Sequence, residues 1–273
     1  METLIVPVYQ VGFVGLSYLL SVIGAFIALT AARRIRRADG STSISNSIVT
    51  GIALGGIGVW SMHFIGMVAV KLQMGIAYSL FETLVSLVAA IAASALALAY
   101  VAQAPNNPRR IVTAGSLLGL GVAVMHYLGM YGMRFGGFIR WDAGIVALSV
   151  LMAMVAASAA LWLAFNTRTI GVRLAAALVM GLAVCSMHYT GMGAADFICT
   201  TATPRAIPNG FGVISALDLP VLVTLVAVGG AFIIALEQIL SFAAQMAAAP
   251  RGASRSARTG STARPMHRAA SRT

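Results

Sequence analysis

This chain is poor in charge. Only 9% of its 273 residues are charged, and they include seven acids and a single lysine. Soluble domains carry about 25% charged residues. The deficit, with 59% hydrophobic residues and a mean hydropathy of +0.91, excludes an ordinary soluble fold. Scarce acids also leave few hard oxygen donors for magnesium or calcium. Cysteine occurs twice, as Cys185 in an apolar run and Cys199 past the next loop. A disulfide needs Cα atoms within about 7 Å, which two positions on and just beyond one helix do not readily meet. Cys185, next to Ser186-Met187-His188, reads as a packed thiol more readily than as an extra soft ligand. No basic residue precedes the first apolar run, so a retained helix is expected there rather than a cleaved signal peptide. The net charge of +11 comes with no groove-reading module or zinc-finger spacing, so nucleic acid is not an expected partner. No nucleophile–base–orienter set or phosphate loop is present, and an enzyme is not expected.

What the chain has is long apolar runs. They fall at about 11–32, 47–70, 78–101, 111–133, 143–165, 172–194 and 219–242. Each exceeds the roughly 20 residues that a helix needs to cross the hydrocarbon core. The expected fold is all-α, a polytopic bundle of seven transmembrane helices over residues 1–246. A basic tail, 247–273, is expected to be disordered. Arg33-Arg34-Ile35-Arg36-Arg37 follows the first run, so the positive-inside rule puts the N-terminus outside and, after seven crossings, the C-terminus in the cytoplasm. On that placement fourteen basic residues lie inside and four (Lys71, Arg134, Arg140, Arg205) outside. The bilayer is the implied partner. The tail's six arginines would attract anionic lipid or simply enforce topology.

Histidine is also scarce, with four in the chain, and three of them share one motif. Met62-His63-Phe64-Ile65-Gly66-Met67 returns as Met125-His126-Tyr127-Leu128-Gly129-Met130 and as Met187-His188-Tyr189-Thr190-Gly191-Met192, at intervals of 63 and 62 residues. The copies fall on spans two, four and six, near their outer ends and at one depth. An ionisable or ligating group inside a membrane is a functional-site hypothesis by default. One copy alone would read as a histidine bonded across helices; three at one depth read as a ligand site.

Histidine and the second methionine stand at i and i+4, on one helix face: His63/Met67, His126/Met130 and His188/Met192. Imidazole with thioether is a donor set that suits copper. Met62, Met125 and Met187 are rotated about 100° away and are ligands of a neighbouring site or packing. Tyr127 and Tyr189 can bond, ligate weakly or sit as interfacial aromatics, and Phe64 replaces the phenol in the first copy. The glycine at i+3 leaves room for a partner helix or a small ligand. Gly51-x-x-x-Gly55 and Gly115-x-x-x-Gly119 have the spacing that lets membrane helices approach closely, and convergence of spans two, four and six is expected. Glu82, Asp142 and Asp196 can each be an acceptor behind an imidazole; Glu82 and Asp142 read more readily as acids at helix starts, and Asp196 stays open.

Three such motifs on alternate spans of a seven-span chain resemble the MHYT domain, a bacterial integral membrane sensor domain. The resemblance covers about residues 10–245. It implies motif residues near the outer face of the inner membrane, holding copper, and sensing of oxygen, carbon monoxide or nitric oxide. Carried over residue by residue, the implied ligands are His63, Met67, His126, Met130, His188 and Met192, with Met62, Met125 and Met187 less directly. Family members often continue into cyclic-dinucleotide enzymes; here a short basic tail follows, so a separate cytoplasmic signalling partner is expected. The rival readings are a haem-binding membrane electron carrier, a copper or proton transporter, and an assembly factor whose histidines merely bond across helices. Few ionisable groups beyond Glu237 lie in the inner halves of the spans, which counts against a transport path.

Overall fold

The computed structural model describes residues 2–37 and 39–248; the expected disordered tail falls almost wholly outside these residues. Among the described residues seven helices are long and apolar enough to cross a membrane, and they match the seven apolar runs. Span one is α1 (Val11–Ala31). Span two joins α2 (Ile44–Gly51), a π-helical stretch (Ile52–Ser61) and α3 (Met62–Ala69). Spans three to seven are α4 (Leu80–Ala102), α5 (Pro108–Tyr131), α6 (Ala143–Asn166), α7 (Ile170–Gly193) and α8 (Leu219–Ala248). Spans four, five and six start on side-chain caps. Asn107 accepts from the first amides of α5, with Pro108 at the first helical position, and Asp142 and Thr169 cap α6 and α7.

Spans one to six close a ring in chain order, with span six returning to span one. Glycines let the ring close. A Cβ on Gly24 would fall 2.2 Å from the Gly58 nitrogen, so spans one and two cross backbone against backbone. Gly51 and Gly55 press on Ala95 and Ala90 of α4, and Gly115 and Gly119 press on Ser158 and Met154 of α6. The glycine pairs thus do bring helices close, but against the odd-numbered spans. Spans two, four and six meet one another through their histidines instead. Gly230 of α8 lies against Ile52 and Ile57 of span two. From Ala235 onward the last helix belongs to a second compact unit, in which the Ser241 hydroxyl donates to Glu237.

At one end of the ring the connections are short. At the other they build a cap of strands: β1 (Thr3–Ile5), β2 (Val8–Tyr9), β3 (Val70–Lys71), β4 (Ala77–Ser79), β5 (Met133–Arg134), β6 (Gly137–Trp141), β7 (Ala195–Cys199) and β8 (Val213–Ser215). They pair antiparallel as β1-β7-β6, β2-β3 and β5-β4-β8. The cap ties the chain start to the loops after spans two, four and six. The loop after span six supplies β7 and β8. All three motifs lie under the cap.

Candidate metal centre

Spans two, four and six each end at the cap with the motif in their last two turns. His63 stands six residues before the end of α3, and His126 and His188 five before the ends of α5 and α7. At about 1.5 Å per residue that is roughly 8–9 Å of depth, one level for all three. The three side chains are 1% exposed and converge. Their Nδ1 atoms form a near-equilateral triangle of 3.1 Å (His63–His188), 3.1 Å (His63–His126) and 3.2 Å (His126–His188). The rings meet edge to face, with centroids 4.9–5.1 Å apart and planes 72–87° from one another. Among the described residues this is the one group of histidine, cysteine or carboxylate ligand atoms lying mutually within 4.8 Å.

Each imidazole rests on the glycine of another copy. A Cβ on Gly129 would fall 2.3 Å from His63 Nε2, one on Gly191 2.4 Å from His126 Nε2, and one on Gly66 2.3 Å from His188 Nε2. The cycle runs first copy to second, second to third, third to first. This explains the motif's glycine: the space it leaves is filled by a partner repeat's imidazole.

Protons alone cannot satisfy the triangle. A neutral imidazole presents each nitrogen either as donor or as acceptor. Among three mutually facing Nδ1 atoms at least two are therefore alike, and that pair meets lone pair to lone pair or hydrogen to hydrogen. Nor do the outer nitrogens compensate, since all three Nε2 atoms are buried and lack a partner among the described residues. A shared cation would resolve the conflict. With protons on Nε2, three lone pairs point at one centre, about 1.8 Å from each nitrogen by the triangle's geometry. His63, His126 and His188 would hold an ion there through these three nitrogens, the donor type that binds first-row metals.

The methionines stay at this level. Met67, Met130 and Met192 lie one turn toward the cap and Met62, Met125 and Met187 beside the histidines, all at most 2% exposed. Met67 borders a cavity of about 410 Å³ under the cap, and Met130 another of about 290 Å³. The phenols have other partners. Tyr127 bonds Ser149 of α6 at 2.6 Å and Tyr189 bonds Ser17 of α1 at 3.0 Å. Phe64 has no hydroxyl, and in its copy the Trp60 indole donates to Ser86 of α4 at 3.0 Å. Each of these serines is fully buried and donates to the carbonyl three residues earlier, so its oxygen accepts from the central helix. The serines were not anticipated from the sequence; the signal was there, since Ser86 and Ser149 repeat at the motif's own 63-residue interval.

The acids take no part. Glu82 pairs with Arg134 at 2.7 Å and accepts from Ser79, Asp142 caps α6, and Asp196 faces Arg140 across β6–β7 at 2.9 Å. Both cysteines are free and buried.

The MHYT family model, described as a bacterial signalling protein N-terminal repeat, matches the chain three times, over residues 56–114, 119–177 and 181–248. The chain belongs to the MHYT family. Each matched repeat is one motif-bearing span and the span after it, which is the hairpin period seen in the spacing. Among curated proteins it is 37% identical over 239 residues to MucR of Pseudomonas aeruginosa, a bifunctional diguanylate cyclase/cyclic di-GMP phosphodiesterase, covering 85% of this chain and 34% of that protein. It is 29% identical to the signaling protein YkoW of Bacillus subtilis (72% and 25%), and 31% identical to the cyclic di-GMP phosphodiesterase NbdA of P. aeruginosa (72% and 26%). This MHYT chain thus spans about a third or less of those relatives. No solved structure matches it significantly. Seven spans and this membership make it a multi-pass membrane protein with a signalling role.

Proposed function

We propose that this MHYT protein is a bacterial inner-membrane sensor holding one copper ion on His63, His126 and His188, and that the ion reports a diatomic gas, redox state or copper itself. The observation that carries the reading is the Nδ1 triangle of 3.1, 3.1 and 3.2 Å with three orphaned Nε2 atoms. Imidazole alone would also take zinc, iron or nickel; the six buried methionines around it move the preference to copper. When bound, copper would supply redox change and a Lewis-acidic centre for a small ligand. The histidines hold it, the glycines set their ring angles, and the Tyr127–Ser149, Tyr189–Ser17 and Trp60–Ser86 bonds link each motif to an outer helix. A shift of any one imidazole would therefore be shared by three hairpins.

The cap is assigned to the periplasm. Its loops carry Lys71, Arg134, Arg140 and Arg205, whereas Arg33, Arg34, Arg36, Arg37, Arg109, Arg110, Arg168 and Arg173 gather at the opposite end. Output would pass from that end to a cytoplasmic enzyme of the cyclic-di-GMP kind named for the relatives. A haem is less well supported, because rings in edge contact leave no slot for a macrocycle between any two histidines.

Metal analysis with a visible spectrum tests the proposal on detergent-purified protein, beside a His63→Ala/His126→Ala/His188→Ala variant. One copper per chain, lost in the variant, is expected. No metal after copper reconstitution, or zinc retained against copper, would overturn it.

A further inference from the structure

Beneath the histidines, away from the cap, lies an apolar cavity of about 40 Å³. Val59, Val122 and Val184 border it, and each stands four residues before its motif histidine, one turn deeper. Leu54, Leu118 and Met180 border it a further turn down, and Met187, beside His188, lies at its upper end. The three repeats thus contribute equivalent residues, so the cavity continues the axis of the histidine triangle. On one side its wall is thin. Ala153, Ala156, Ala157 and Ala160 of α6 form part of it, and Ala156, Ala160 and Val184 are half-buried, so small side chains separate the cavity from the lipid face between spans five and six.

One polar group enters this wall. Ser94 of α4 is 1% exposed and its hydroxyl has no partner among the described residues. Other helical hydroxyls bond back to the carbonyl three or four residues earlier, as Ser149 does to Val146 and Ser158 to Met154. At Ser94 those carbonyls belong to Ile91 and Ala90, which are packed against Gly51 and Gly55. The hydroxyl is left free in an otherwise apolar space.

We infer that this chamber binds a small apolar molecule of diatomic size, admitted from the lipid between spans five and six and delivered to the cap-distal side of the histidine centre. A cavity needs only about 10–15 Å³ to hold one water, but apolar walls with one hydroxyl supply too few of the two to four partners a water requires. Apolar cavities instead stay dry and take up xenon or similar guests. A diatomic gas has the right size and prefers lipid to water, and Ser94 offers it one weak donor. The delivery step rests on the copper reading; occupancy of the chamber does not.

The test separates the two. In metal-free full-length protein carrying ¹³C-methyl methionine, xenon pressure should shift the Met180 and Met187 methyls saturably and leave Met67 and Met130 unmoved. Ala157→Phe, which fills the chamber, should abolish the shift, and Val122→Ala, which enlarges it, should strengthen it. Equal response at all four methionines, or no response at Met180 and Met187, overturns the chamber. In copper(I)-loaded protein Ala157→Phe should slow carbon monoxide binding at least tenfold at unchanged copper content; an unchanged rate overturns delivery through this chamber. If copper does not load, the xenon result still decides occupancy.

Discussion

Every motif glycine carries an imidazole from another repeat on its bare Cα, and this sets how sensitive the centre is to a single methyl group. A Cβ on Gly129 would stand 2.3 Å from His63 Nε2, a distance that forces the ring to move. Gly129→Ala should leave the helical fold intact while lowering copper affinity about 10- to 100-fold, the range seen when groups supporting metal ligands are changed. Competition with a chelator, checked against the circular dichroism of both proteins, measures it. An unchanged affinity would mean that the rings are not positioned by these contacts. The phenols make a milder case. Tyr127→Phe removes one bond to Ser149, and bonds between membrane helices average about 0.6 kcal/mol. The expected outcome is a small fall in thermal stability with copper retained; loss of copper would make Tyr127 a ligand. The motif was legible because it repeats. Which ring nitrogen turns inward, and whose glycine each ring covers, was not, because both depend on contacts between residues about 62 or 125 positions apart that spacing along one helix does not encode.

Helix against helix, the ring closes where side chains are missing. Gly24 and Gly58 bring spans one and two into backbone contact, and the π-helical stretch Ile52–Ser61 gives span two a wider winding in the same region, with the Ser61 hydroxyl donating to the Gly56 carbonyl. Gly24→Val should push the two spans apart and cost about 1–3 kcal/mol or more, as overpacking does. Gly15→Val on the same helix meets nothing within 4 Å and should be nearly neutral. Parallel melting curves of the two variants check the pair; equal losses would show that span one is not held at this crossing. The small-residue spacing announced close approach correctly. It could not announce the partner, since a glycine face is complementary to any helix that reaches it. Nor were the strands of the cap legible, because segments of two to five residues are too short to show an alternating pattern.

Across the whole molecule, three hairpins that cross the bilayer separately are joined at the histidines, and this makes the centre a clasp whose state feeds back on stability. Without a cation the three facing Nδ1 atoms cannot all be satisfied, in a site whose Nε2 atoms already lack partners among the described residues. An unsatisfied buried polar group costs about 1–3 kcal/mol. The metal-free protein should therefore be less stable than its packing allows, and a ligand present at 100 times its Kd would return about 2.7 kcal/mol. The sign of this argument can be tested by removing the conflict. His63→Leu/His126→Leu/His188→Leu keeps apolar bulk on the glycines and deletes the orphaned nitrogens. In detergent its melting temperature should exceed that of metal-free wild type, while copper, which raises the wild-type value, should leave the variant unmoved. A variant that melts below the metal-free wild type would show that the imidazoles are satisfied packing elements. The triangle would then be a fastening between helices, and its three-way conflict would have to be relieved by something other than a metal.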